Sequence, residues 1–156
     1  MKKFELTNDT KIVFGKKLFR IRALVSFGNV KKDELGGYVE KEENLSHAGN
    51  AWVYGDAEVY GNARVYGDDE VCGNARVYGN ADYTCVKGFG TEYRNTTFYR
   101  QKDGSIGVKC GCFYGTIDEF REQVNKTRDG KIAKEYLMIA DLMEYHFQKE
   151  EGVGDE

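Results

Sequence analysis

From Gly49 to Thr84 the chain repeats a unit of six residues: GNAWVY, GDAEVY, GNARVY, GDDEVC, GNARVY, GNADYT. The third position holds Ala51, Ala57, Ala63, Asp69, Ala75 and Ala81, and the fifth holds Val53, Val59, Val65, Val71, Val77 and Tyr83. Side chains two apart in an extended strand face the same way, so positions three and five point inward and position four points out. Gly followed by Asn or Asp supplies a bend, because these residues tolerate positive φ. Strand and corner at fixed spacing predict a mainly β, three-sided coil in which residue i lies on residue i+18. Val53 then meets Val71, Val59 meets Val77 and Val65 meets Tyr83, with Glu58 beside Arg76 and Arg64 beside Asp82 on the outside. An antiparallel meander with glycine turns fits six unbroken hexads less well. Asp69 is the one charged inward position, and a pairing with Lys87 would accommodate it.

The flanks carry different patterns. Phe4–Leu6, Lys11–Phe14 and Leu18–Leu24 read as strands, with turns at Asn8-Asp9 and Gly15-Lys16, so residues 1–34 are expected to form a hairpin or three-stranded cap. Leu35–Glu40 enters the coil, and stepping back by sixes places Leu45 in an alanine position and His47 in a valine position. The coil accounts for residues 35–90, about three turns, whose open ends need covering or a partner. In residues 91–156, Thr96–Arg100 and Ile106–Cys110 flank Lys102-Asp103-Gly104 as a hairpin. Thr116 and Glu119 form a capping box opening a first helix. Ile132, Tyr136, Ile139, Ala140, Met143 and Phe147 form the apolar stripe of a second. The acidic, glycine-rich tail Glu150–Glu156 is expected to fray.

Composition narrows the class. The 156 residues carry a net charge of −3, so no global basic field argues for nucleic acid and no direct nucleic-acid binding is expected. The cluster Lys16, Lys17, Arg20, Arg22, Lys31 and Lys32 reads as a solvated hairpin face. No apolar run approaches the roughly 20 residues of a membrane helix, and the N-terminal stretch lacks a signal peptide's apolar core. Four irregularly spaced cysteines do not make a disulfide scaffold. These observations place the protein in the cytosol, away from membranes.

Phe27–Val30, Leu35–Glu40, Glu43–His47 and the GNA-x-VYG hexads, followed by Gly111–Phe120 and Ala133–Tyr136, resemble a phage and prophage family of hexapeptide-like-repeat proteins. The resemblance implies a left-handed parallel β-helix, an oligomer and a phage-related origin expressed in the host cytosol. It carries no settled activity, and transferase labels for such sequences rest on the hexad alone.

Candidate chemistry is sparse. Hexapeptide-repeat acyltransferases need a histidine base, and only His47 and His146 exist. His47 is the one credible base for an acyltransferase, and the long loop that holds this residue in such enzymes is missing. Two histidines cannot supply the three imidazoles of the zinc carbonic anhydrases built on hexads. Cys110-Gly111-Cys112 would place both sulfurs on one strand face, with Cys85 nearby, but zinc sites favour Cys-x-x-Cys pairs and four ligands. Buried small hydrophobes are the simpler reading. Each repeat glycine is explained by a corner, so no phosphate loop, metal or cofactor is expected.

What remains is surface. Trp52, Tyr54, Tyr60, Tyr66 and Tyr78, with Arg64 and Arg76, fall on the outward walls and are the candidate interface anchors. The expected function is a non-catalytic, dimeric or trimeric binding protein that inhibits a host anti-phage defence factor, by blocking a protein or sequestering a small nucleotide signal. The alternatives are an acyltransferase using His47 and a structural or assembly protein.

Overall fold

The computed structural model describes residues 2–148; the tail expected to fray lies outside them. The first element is a hairpin, β1 (Phe4–Val13) and β2 (Lys16–Ala23), closed by the two-residue turn Phe14-Gly15. The turn expected at Asn8-Asp9 is instead an irregularity within β1, where the register shifts between Leu6 and Thr10. β2 pairs antiparallel with β3 (Leu35–Val39), and β3 continues the same sheet into the hexads.

The hexads form β4 (Trp52–Val53), β5 (Glu58–Val59), β6 (Glu70–Val71) and β7 (Arg76–Val77), each two residues long. Beyond them come β8 (Tyr83–Phe89), β9 (Arg94–Arg100), β10 (Ile106–Cys110), β11 (Phe113–Thr116), α1 (Ile117–Thr127) and α2 (Gly130–His146). Three sheets result: a mixed sheet in the order β1-β2-β3-β5-β7, a parallel pair β4-β6, and an antiparallel sheet β11-β10-β9-β8.

This arrangement corrects the expected left-handed parallel β-helix of about three coils. The sheets are largely antiparallel, and parallel pairing is confined to the two-residue contacts β3–β5, β4–β6 and β5–β7 and the single bridge Leu45–Val65. The physical reason lies at its two ends. At the start, β2 of the hairpin pairs antiparallel with β3, which links it to the hexad strand β5 in one mixed sheet. At the finish, a 3-10 turn at Asn80–Asp82 breaks the pairing, and β8 turns Tyr83 onto Tyr99 in the antiparallel sheet. Ala81, expected inside, is exposed there.

The repeat spacing itself is visible locally. Val53 pairs with Val71, Val59 with Val77 and Glu58 with Arg76, all 18 residues apart. The step before is 20 residues, with Val39 on Val59 and Leu45 bridging Val65, because the chain takes eight residues, two more than a hexad, to pass from Leu45 to Val53. Leu45 therefore takes a valine position, and His47 falls outside the stack. Five valines, Val53, Val59, Val65, Val71 and Val77, are fully buried among Phe4, Ile21, Trp52 and Tyr99. A second core joins Phe98 and Val108 to Phe120, Val124, Tyr136 and Met143. The hairpin β9–β10, the capping box at Thr116 and Glu119, and the apolar stripe of α2 form as their sequences predict.

Two expected charge pairs change partners. Asp69 is buried and accepts a hydrogen bond from Asn95 Nδ2 at 3.0 Å, while Lys87 lies 3.9 Å from Asp68 instead. Asp82 pairs with Arg100 at 3.0 Å, not with Arg64, and caps the backbone N–H groups of Tyr78 and Gly79.

Candidate functional site: an aromatic and cationic cleft

The site is built around one buried carboxylate. Glu58 occupies an outward hexad position yet is only 2% exposed. Lys11 of β1 reaches its Oε2 at 2.6 Å, Arg76 Nε donates to its Oε1 at 2.9 Å, and Lys102 lies 3.2 Å from Oε2. Burial alone would raise the carboxyl's pKa, but hydrogen bonds from Lys11, Arg76 and Lys102 outweigh it and hold it below the usual range. One negative charge thus collects three cations from three separate elements. Arg100, paired with Asp82, adds a fourth at the same end. Four cations face two carboxylates, leaving an excess of positive charge.

Aromatic faces lie among these cations. Tyr60 and Tyr78 stack with centroids 5.8 Å apart, and Tyr78 is 57% exposed. Phe14 stands across from them, 78% exposed, with the Arg76 guanidinium 4.9 Å from its ring centre. Phe14 and Gly15 have φ of 49° and 80°, the positive pair of a type I′ turn. Asn or Asp is the usual first residue of such a turn, and a bulky side chain at positive φ is strained. A phenylalanine that is both strained and solvent-facing is poorly explained by turn chemistry or by the core. Phe14, Tyr60, Arg76, Tyr78, Arg100 and Lys102 line an open cleft of about 450 Å³.

Three of the residues expected on the walls, Tyr60, Arg76 and Tyr78, meet here. The others do not. Trp52 is fully buried, edge-on to Phe4 at 6.4 Å and Phe27 at 5.3 Å, which corrects its reading as an exposed anchor. The N-terminal segment covers that wall. Tyr54 is half-buried and donates to Glu70 Oε2 at 2.9 Å, and Tyr60 is buried although its ring edges the cleft. Tyr66 is 58% exposed, and both it and Arg64 lie outside the cleft. Phe14, Arg100 and Lys102 were not singled out from sequence. The one available signal was the phenylalanine in Val13-Phe14-Gly15-Lys16, a large apolar residue where a two-residue turn needs a small polar one.

His47 lies elsewhere, stacked on Phe4 at 4.2 Å. Its Nδ1 accepts the backbone N–H of Lys3 at 3.0 Å, and its Nε2 lies 3.0 Å from Glu42 Oε1. The first contact assigns the neutral tautomer with the proton on Nε2, donated to Glu42. That hydrogen bond holds the Glu42 carboxyl below its usual range. Both ring nitrogens are occupied, which leaves no lone pair for proton abstraction in this conformation. The cysteine expectation also needs correction: Cys110 ends β10, Gly111 turns at φ 59°, and Cys112 leaves the strand, so the two do not share a strand face. Cys85 is separate, on β8 beside Asp69. Among the described residues, no three His, Cys, Asp or Glu side chains converge as a metal site. No helix among them is long and apolar enough to cross a membrane. No protein-family model matches the chain, and no curated protein matches it in sequence.

Proposed function

We propose that the protein is a non-catalytic binding protein whose ligand is a small nucleotide, held in the cleft between Phe14 and Tyr78. The observation that carries the reading is Phe14, an exposed ring kept at strained backbone geometry against a guanidinium. Its face and that of Tyr78 offer stacking surfaces for a base, an interaction of about 1–3 kcal/mol per base. Arg76, Arg100 and Lys102 supply charge-assisted donors for phosphate at the same mouth. The engaged nitrogens of His47 favour binding over acyl transfer. The phage resemblance supplies the setting: sequestration of a nucleotide signal from host defence.

Titration calorimetry with ADP and a cyclic dinucleotide tests the reading. Binding should be saturable, weaken as salt rises, and fall at least about tenfold in Phe14→Ser and Lys102→Gln. Absence of binding by either nucleotide at millimolar concentration, or binding indifferent to Phe14→Ser, would refute it.

A second reading is favoured by Tyr66, exposed on a different wall beside Arg64. Tyrosine and arginine are enriched at interface hot spots, so this wall would contact a second copy of the chain or a host protein. Light scattering on Tyr66→Ser against the unaltered chain separates these cases. Loss of an oligomer supports self-association, and co-elution of a host protein that Tyr66→Ser abolishes supports the blocking form.

A further inference from the structure

The C-terminal module holds a second, more enclosed cavity of about 250 Å³, between the β10–β11 turn, α1 and the start of α2. Its floor is apolar and ordered by ring packing: Phe120 lies 5.9 Å from Phe113 and edge-on to Tyr136 at 5.8 Å. Its polar groups are of one sign. Arg94 and Arg128 line it, and among the described residues no Asp or Glu does.

Neither guanidinium has a strong partner. Arg94 Nη2 meets Glu92 at 2.6 Å, but both side chains are exposed, where such pairs contribute little. Among the described residues, Arg128 has a single long contact, 3.5 Å, to the carbonyl of Thr127. Both cations lie near the buried Tyr136 hydroxyl. Burial pushes that group's pKa up, and the two arginines oppose the rise. The Arg94 side chain lies against Gly111, which sits at positive φ: a Cβ there would stand 2.8 Å from Arg94 Nη1.

We infer that this cavity binds a small carboxylate carrying one apolar ring, with the ring on Phe113 and Phe120 and the carboxylate between Arg94 and Arg128. Size and charge choose the class. The volume falls below the roughly 300–1,000 Å³ of sites for drug-sized ligands, which suits one ring and a short acid arm. Arginine pairs carboxylate and phosphate equally well in geometry. The site adjoins the C-terminal end of α1, whose carbonyls carry partial negative charge and oppose a dianion. A monovalent carboxylate is therefore favoured over phosphate. Such a group could come from a free acid or from the terminus of a peptide ending in phenylalanine.

Cys112 lies on the cavity wall and is exposed, which provides a reporter. The rate of Cys112 alkylation by iodoacetamide, read by residue-resolved mass spectrometry, is measured on the full chain. The probes are 3-phenylpropionate, 3-phenylpropionamide and the tripeptide Gly-Gly-Phe. Millimolar affinity is what a ligand of this size reaches at ordinary efficiency, so about 10 mM acid should slow alkylation at least about threefold, and the amide should not. Arg128→Gln and Arg94→Gln should each remove most of the protection. Gln123→Trp, a change at an exposed position on α1, should block the mouth and abolish protection while circular dichroism stays unchanged. Protection by the tripeptide alone would identify a chain terminus as the carboxylate source and support the same site. Equal protection by acid and amide, protection that survives both arginine variants, or no protection by acid or tripeptide would overturn the assignment.

Discussion

Lys102, in the turn after β9, lies 3.2 Å from the buried carboxylate of Glu58, a residue of the hexad segment. Lys11 shares the same Oε2, and Arg76 donates to Oε1. The N-terminal hairpin, the hexads and the C-terminal hairpin thus meet at one side chain, and the cleft is the mouth of that junction.

Removing the carboxylate should loosen all three elements together. Glu58→Gln leaves three cations facing one another, and breaking a buried pair costs about 3–5 kcal/mol when fully desolvated. The cations here are a quarter to a third exposed, so about 2–3 kcal/mol is expected in urea melts. The pH dependence has a defined sign. The folded carboxyl titrates below the unfolded value, so its contribution is full above the ordinary Glu range and disappears as pH falls through the folded value. Glu58→Gln should flatten that acid limb.

Lys3 gives the opposite sign for a lysine. Burial lowers its pKa from 10.5 to about 8; among the described residues it meets the carbonyls of Ala51 and Gly49 and the face of Phe27 but no carboxylate. The folded chain releases this proton more readily than the unfolded one. Stability should therefore rise between about pH 8 and 10.5 on account of Lys3, and the cost of charging it is fully present below pH 8. The difference in unfolding free energy between the unaltered chain and Lys3→Met, followed from pH 7 to 10, should grow by about 1–3 kcal/mol.

Phe14→Asn separates stability from binding. Asn-Gly suits a type I′ turn, a gain of about 1 kcal/mol offset by loss of the Arg76 contact of about 0.5–1 kcal/mol. Thermal melts should change by no more than a few degrees. Nucleotide affinity should fall at least about tenfold.

Gly37 of β3 and Gly67 of the hexads should respond for different reasons. A Cβ on Gly37 would lie 2.5 Å from the Ala57 carbonyl oxygen and 2.7 Å from Val53. Backbone cannot yield cheaply, and Gly37→Ala should cost about 2–3 kcal/mol. Gly67 has φ of 65° with nothing near its would-be Cβ, so Gly67→Asn should be nearly neutral. Denaturant midpoints compare the two.

Trp52 tests a corrected expectation. Its indole Nε1 has no hydrogen-bond partner among the described residues. Trp52→Phe should therefore cost only about 1–2 kcal/mol, and Trp52→Ala about 3–5 kcal/mol, followed by circular dichroism. A surface anchor would show neither loss.

The alternation within each hexad was enough to determine that Val53, Val59, Val65, Val71 and Val77 face inward and that Val59 lies on Val77, because strand side chains alternate with a strict period of two. The helices and the β9–β10 hairpin were legible for the same reason, as local signals read over a few residues. What covers the outer walls was not legible. Trp52 and Glu58 sit at the same hexad position, on the strand face opposite the valines, and both are buried: one by Phe4 and Phe27, the other by Lys11 and Lys102 from opposite sides of the hexads in sequence. Periodicity reports which way a side chain points relative to its own strand, whereas the neighbour across it is set by residues distant in the chain, Phe4 and Phe27 for Trp52 and Lys11 and Lys102 for Glu58. The mixed sheet that joins the N-terminal hairpin to the hexads, the exchange of Arg64 for Arg100 as the partner of Asp82, and the assembly of Phe14 with Tyr78 were decided by tertiary packing, which the period within one strand does not encode.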